Sequence, residues 1–269
     1  MKDNNFIEQL RITVNNPYIS TTQQKFILEL FKHYPELYIN VLIFQSLPGT
    51  FAYRKEYLDI KPCHKNIIDA LNNEESLLSF GPRSFNYTNL FCGLALYVSN
   101  VLQKNVLIKT GNIYKTKLFI RKCNDIAEPK FIKRFQNADD IKRSTLICNN
   151  IHGKKMPDTE YYLTIYDDYN KPYDCHDNLY IGKIGPYTKN IKTIMKDFSE
   201  NIYVPSYNEL FEGDCTTFIK YLQSIEAALH FDEKVIKKEI FMMVDGKPNR
   251  FTESIPKEVM DKYCQILNK

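Results

Sequence analysis

Hydrophobic positions in the first third of the chain recur at helical spacing. In "STTQQKFILELFKHYP" Phe26, Ile27, Leu30 and Phe31 fall on one side of a helix. Ser20 and Gln23 stand at capping-box spacing before it, and Pro35 marks its stop. The run "LYINVLIF" that follows is short, aliphatic and aromatic, and predicts a buried strand. "HKNIIDALNN" predicts another helix, and "SLLSF" a strand ended by Gly81 and Pro82. From Leu90 onward an apolar stretch opens that reads as a helix apolar nearly all round.

The middle third changes period. "NVLIK", "IYKTKLFIRK", "RSTLIC", "EYYLTIYDD" and "NLYIGKIG" all read as strands. Turn signals separate them at Thr110-Gly111-Asn112, His152-Gly153, Asn170-Lys171-Pro172 and Gly185-Pro186. "PKFIKRFQNADDIKR" predicts a helix among them. The last third is mainly helical, from "YNELFEGDCTTFIKYLQSIEAALHF" to the closing "SIPKEVMDKYCQIL", with a hairpin on Asp245-Gly246 between them. The expected fold is therefore a single α+β domain over residues 1–269. Its central sheet, at about residues 105–185, is mostly antiparallel, with helices contributed by the N- and C-terminal thirds. An alternative division sets residues 1–75 apart as a helical subdomain.

Composition adds a compartment. With 43% hydrophobic and 25% charged residues the chain can fill a core. Trp is absent, whereas 19 Tyr and 17 Phe accompany abundant Asn, Lys and Ile, a bias of AT-rich genomes such as viral, bacterial or protist ones. The first residues lack the apolar core of a secretory signal, and no run reaches the length of a membrane span. The seven cysteines are an odd number without paired spacing, which reads as free thiols in a reducing compartment. The expectation is an intracellular, cytoplasmic protein with no membrane partner, acting in a host cell if the source is a virus or a bacterial effector. The oligomeric state is open.

Charge distribution sharpens the functional expectation. Between Lys104 and Arg143 eleven basic residues face four acids, whereas Asp158 to Asp177 holds six acids and one lysine. If "YKTKLFIRK" is a strand, Lys115, Lys117, Phe119 and Arg121 share one of its faces. Cations around an aromatic ring suit single-stranded nucleic acid, with charge for phosphate and a ring for stacking a base. Lys130, Lys133 and Arg134 on the following helix extend that surface. Against this stands a plain solvated face in a lysine-rich chain.

Three constellations could carry chemistry. Asp158, Glu160, Asp167 and Asp168 flank one strand, with Lys171 beyond, but their spacing fits solvated turn acids better than a metal-dependent nuclease. Cys148, His152, Cys175 and His176 supply zinc-type donors without a paired C-x2-C, so no metal site is assigned. If Thr88 or Asn89 caps the apolar helix, Cys92 falls in its first turn, where the helix dipole favours a thiolate. His176 before a strand and Asn190 after it then give the order of a papain-like Cys92–His176–Asn190 triad. The alternative is that Cys92, flanked by Phe91 and Leu94, is simply buried.

Only nine glycines are present, and no G-x-G-x-x-G, P-loop or G-x-S-x-G motif occurs, so no cofactor is expected. The leading expectation is an intracellular protein that binds nucleic acid or another polyanion through a basic, aromatic-interleaved surface. A cysteine-dependent hydrolase or transferase is the alternative from another class, and a non-catalytic structural or interaction module is the third.

Overall fold

The computed structural model describes residues 4–46, 55–58, 60–81, 85–111, 113–126, 146–150, 160–167, 178–185, 201–212, 256–258 and 261. Three helices lead: α1 (Asn4–Asn15), α2 (Thr21–His33) and α3 (Pro35–Leu42). A small antiparallel pair follows, β1 (Phe44–Ser46) with β2 (Lys55–Tyr57). Then come α4 (Pro62–Asn72), β3 (Leu77–Phe80), α5 (Tyr87–Asn100), β4 (Val106–Thr110) and α6 (Ile113–Ile126). The remaining elements are β5 (Leu146–Asn150), β6 (Leu163–Asp167), β7 (Tyr180–Ile184), β8 (Ile202–Tyr203) and α7 (Tyr207–Phe211).

The main sheet has six strands in the order β5-β4-β6-β7-β3-β8, and every pair in it is parallel. The expected mostly antiparallel α+β sheet is therefore incorrect, and the fold is α/β. The physical signal lies in the strands themselves. All five residues of β6 and all five of β7 are buried, as happens when both faces of a parallel sheet are covered. Parallel strands also need crossovers: α5 carries the chain from β3 across the sheet to β4, and α6 joins β4 to its neighbour β5.

Two segments change type. "IYKTKLFIRK" lies in α6 and is not a strand. Its alternating look conceals a helical stripe, because Thr116, Phe119 and Cys123 are the buried residues, at intervals of three and four. "LYINVLIF" lies mostly in α3, where Pro35 occupies the first turn, a position that leaves no needed N–H unpaired. Tyr38 to Leu42 are all buried there, so no polar face betrays the period.

Other expectations hold. Ser20 caps α2, accepting from the Gln23 amide at 3.2 Å while the Gln23 side chain accepts from the Ser20 amide at 3.1 Å. "HKNIIDALNN" falls within α4, "SLLSF" around β3, and the four remaining strand runs on β4 to β7. The helix at "PKFIKRFQNADDIKR" and the hairpin at Asp245-Gly246 lie outside the described residues. So does all but the start of the long helix after Tyr207, where α7 ends at Glu212 with φ 55°.

The core is one apolar cluster running from Leu10 and Phe31, through α3, α4 and α5, to the sheet and Phe211 of α7. α5 and α6 pack on β4, α5 also meets β6, and α4 covers β3 and β7. Among the described residues no helix is long and apolar enough to cross a membrane.

Candidate functional site

In an open parallel sheet, ligands are bound outside the carboxyl ends of the strands, where neighbouring connections run in opposite directions. Here β4 connects outward to the edge strand β5, whereas β6 connects to β7 on its other side. The switch point thus lies between the C-terminal ends of β4 and β6. The strand register puts Asn150, Thr110, Asp167, Lys183, Ser79 and Tyr203 in one row across all six strands at that end. The next row inward on the same face is Cys148, Ile108, Ile165, Ile181 and Leu77. A greasy sheet face therefore ends in a polar band.

That band is enclosed. Asp167 is 4% exposed and Lys183 7%, while Ser79 and Thr110 are fully buried. Burying such groups is costly unless they are solvated by the protein. Thr110 Oγ1 and Thr116 Oγ1 share a hydrogen bond of 2.7 Å, which ties the end of β4 to the first turn of α6. Lys115, on the same turn, brings its ammonium to 3.9 Å from the Asp167 carboxylate. At the far end of the band the Tyr203 hydroxyl donates to Glu209, which also accepts from the Ser206 amide to cap α7. On the opposite face Lys109 donates to the Tyr166 hydroxyl at 3.1 Å.

Gly81 and Tyr87 stand on either side of the connection from β3 to α5, at this edge of the sheet. Gly81 follows the strand, and Asn86 caps α5 in the left-handed region at φ 56°, which asparagine tolerates better than most residues. Gly81, Asn86, Tyr87 and Thr88 fall at the positions that glycine, glycine, lysine and Ser/Thr occupy in a G-x4-G-K-[ST] phosphate loop. Two of the four residue types are kept, and Tyr87 replaces the lysine. Its ring packs so close to Gly81 that a Cβ there would sit 2.5 Å from Cε2. The Lys183 ammonium lies 5.8 Å from the centre of the same ring, within cation–π range.

His64 holds this junction in place. Its Nδ1 accepts from the Lys61 amide at 3.2 Å, so Nε2 carries the proton and donates to the Phe85 carbonyl at 2.7 Å. The buried imidazole thereby links the start of α4 to the residues that lead into α5. Burial, with the Cys63 thiol nearby, pushes the Tyr87 phenol well above its ordinary pKa. Burial likewise raises Cys63 to about 11. Neither group ionises near neutral pH.

The residues singled out from sequence are scattered. Cys92 is fully buried and is the sixth residue of α5, beyond the first turn in which the dipole acts. Its Sγ approaches the Phe119 carbonyl at 4.0 Å, as a core thiol donating weakly. His176 and Asn190 lie outside the described residues. Lys115, Lys117 and Arg121 are on α6, but Phe119 is fully buried and its ring belongs to the core. The outer face of α6 instead offers Tyr114, 81% exposed, on one stripe with Lys117 and Arg121. Lys122 is held by Asn89 Oδ1 at 2.6 Å. Lys130, Lys133 and Arg134 lie outside the described residues, as do His152, Asp158, Asp168, Cys175 and Lys171. Among the described residues no group of three His, Cys, Asp or Glu side chains could hold a metal ion.

The polar band was missed by the sequence reading, although one signal pointed to it. Lys183 is a lone charge inside the apolar run "LYIGKIG", and Asp167 ends another such run. A charge within a fully buried strand needs a polar destination.

No protein-family model matches the sequence, and no curated protein matches it. Among solved structures the chain is similar to the crystal structure of the HK97 bacteriophage large terminase, at a TM-score of 0.48 and 12% identity. The match covers 76% of this chain and 50% of the terminase chain, so this chain spans half of that protein's length. At that TM-score and identity the likeness carries no argument about fold or function.

Proposed function

We propose that this chain binds a polyanion, with single-stranded nucleic acid as the first candidate, across the outer face of α6. The observation that carries the reading is the stripe of Tyr114, Lys117 and Arg121. An aromatic ring 81% open to solvent begins the stripe, and the basic side chains follow it at intervals of three and four. α6 carries four basic residues and one acid, and Ile113, Leu118 and Ile120 beside the stripe are also exposed. Phosphates would meet the cations, and a base would stack on the tyrosine. The helix begins at the C-terminal end of β4, so a strand lying along it is led toward the polar band.

Fluorescence anisotropy with a labelled single-stranded oligonucleotide tests this. Affinity is expected to fall steeply as salt rises from about 50 to 200 mM, because bound counterions are released on binding. The combined change Lys115→Glu, Lys117→Glu and Arg121→Glu should weaken binding at least ~10-fold and flatten the salt dependence. An affinity unmoved by these three changes sinks the proposal.

A further inference from the structure

The four cations of α6 do not share one face. Lys115 and Lys122 are seven positions apart, two turns of the helix, and both turn toward the body of the fold. The Lys115 ammonium lies 3.9 Å from the buried Asp167 carboxylate, and Lys122 donates to Asn89 Oδ1 at 2.6 Å. Both lysines are only partly exposed, whereas Lys117 and Arg121 stand on the exposed side with Tyr114. Half of the helix's positive charge thus has partners inside the protein. A ligand on the outer face meets two cations of α6, and exposed apolar side chains, Ile113, Leu118 and Ile120, around them.

Two cations are few for a ligand held by charge alone. Each phosphate neutralised on a single strand contributes about 0.7 to the salt slope, so two give about −1.4. A rise from about 50 to 200 mM salt then weakens binding only about sevenfold. A base stacked on an exposed ring adds roughly 5- to 150-fold in affinity, whatever the sequence. The ring therefore decides which polyanion is held. Lys117 follows Tyr114 by about 4.5 Å along the axis and Arg121 follows Lys117 by about 6 Å, so ring and cations form one row. In a duplex each base is enclosed by its stacked neighbours, and a ring on a helix surface reaches it only if it is unpaired.

Resting on the reading of α6 as a polyanion-binding face, we propose that this helix selects unpaired nucleotides. One base stacks on Tyr114, and Lys117 and Arg121 take the two phosphates that follow it. Duplexes and polyanions without bases meet the two cations alone and bind loosely.

The test is fluorescence anisotropy of the full chain with three labelled probes of equal length. They are an oligothymidylate, the same strand with every base removed, and a duplex. The first two carry the same phosphates and differ only in what can stack. The oligothymidylate is expected to bind at least ~5-fold more tightly than the base-free strand and than the duplex, with a salt slope near −1.4. Tyr114→Ala should close the gap between the two single strands, and Tyr114→Phe should keep it, because the ring stacks and the hydroxyl does not. Tyr114 is exposed, so neither change removes a core contact, and circular dichroism verifies the fold. A base-free strand that binds as tightly as the oligothymidylate overturns selection by the ring, as does a gap that survives in Tyr114→Ala. A salt slope steeper than about −3 overturns the count of two phosphates. Each of those results leaves α6 standing as a polyanion face. If no probe binds, or if Lys117→Glu with Arg121→Glu leaves all three affinities unmoved, the polyanion reading itself fails and the selection falls with it.

Discussion

Two polar regions of this molecule use the same residue types in opposite ways. The outer face of α6 holds Lys117, Arg121 and Tyr114 in water, where charges are solvated. The C-terminal edge of the sheet holds Asp167, Lys183, Ser79 and Thr110 away from water, where each polar atom must be satisfied by fixed neighbours. A charge on the first surface costs the fold almost nothing and is available to any passing polyanion. A charge in the second is expensive to bury, so it is held by neighbours within the fold, as Asp167 is by Lys115. Abundance of charge thus says where a chain can bind loosely, and burial of charge says where the fold itself must supply the partner.

The sharpest way to break that comparison is to exchange the aromatic residues of α6. Phe119→Ala removes a fully buried ring and should cost roughly 3–5 kcal/mol in urea unfolding. If it costs less than about 1 kcal/mol, α6 is not packed as described. Next in size is an alkaline effect. The buried Cys63 thiol has a folded pKa of about 11 against an ordinary value of 9.0. The unfolded chain therefore loses its proton first. The stabilisation is complete below pH 9 and is lost as pH rises from 9 toward 11, by about 2–3 kcal/mol from this group. Burial of Tyr97, raised to about 12, acts with the same sign at higher pH. Urea midpoints that stay level from pH 8 to 11 would contradict the burial of these groups.

A smaller loss is expected at the centre of the sheet. A Cβ at Gly182 would lie 2.8 Å from the Tyr166 Cβ and 2.9 Å from Leu78 Cδ2. Gly182→Ala should therefore cost about 1–3 kcal/mol through overpacking, measured as a lower unfolding midpoint. The smallest stability effect belongs to the exposed ring. Tyr114→Ala should change stability by less than ~0.5 kcal/mol while weakening oligonucleotide binding by about 1–3 kcal/mol. Phe119 and Tyr114 are five positions apart on one helix, so opposite outcomes there isolate what exposure does. A Tyr114 variant that binds as wild type would leave the α6 face as an ordinary solvated surface.

Much of the fold was legible locally. Ser20 with Gln23 announced the start of α2, and Gly81 the end of β3, because caps and turns depend on near neighbours. The runs at β4, β6 and β7 were recognisable as strands from their length and aliphatic content. Their direction was not. Five short apolar runs can pair in either sense, and the mark of a parallel sheet, burial on both faces, becomes visible only when the helices that cover it are in place. The error at "IYKTKLFIRK" compounded this, since removing the crossover helix α6 made hairpins the natural connection. The same error placed Phe119 with Lys117 and Arg121, where a period of two puts them and a period of 3.6 does not.

For the sites, the basic character of residues 104–143 was plain from composition, because like charges near in sequence stay near on any helix or strand. The polar band was not. Ser79, Thr110, Asp167 and Lys183 span more than a hundred positions, and no local rule relates them. Sequence alone determined the helix starts, the strand-forming runs, the charge imbalance and the absence of a full phosphate-loop motif, all of which rest on interactions within a few residues. Only the tertiary structure decided that the strands run parallel, that Cys92 and Phe119 belong to the core, and that four distant polar residues fall in one row across the sheet. Those outcomes follow from strand register and from which faces are covered, and both are set by contacts between segments far apart in the chain.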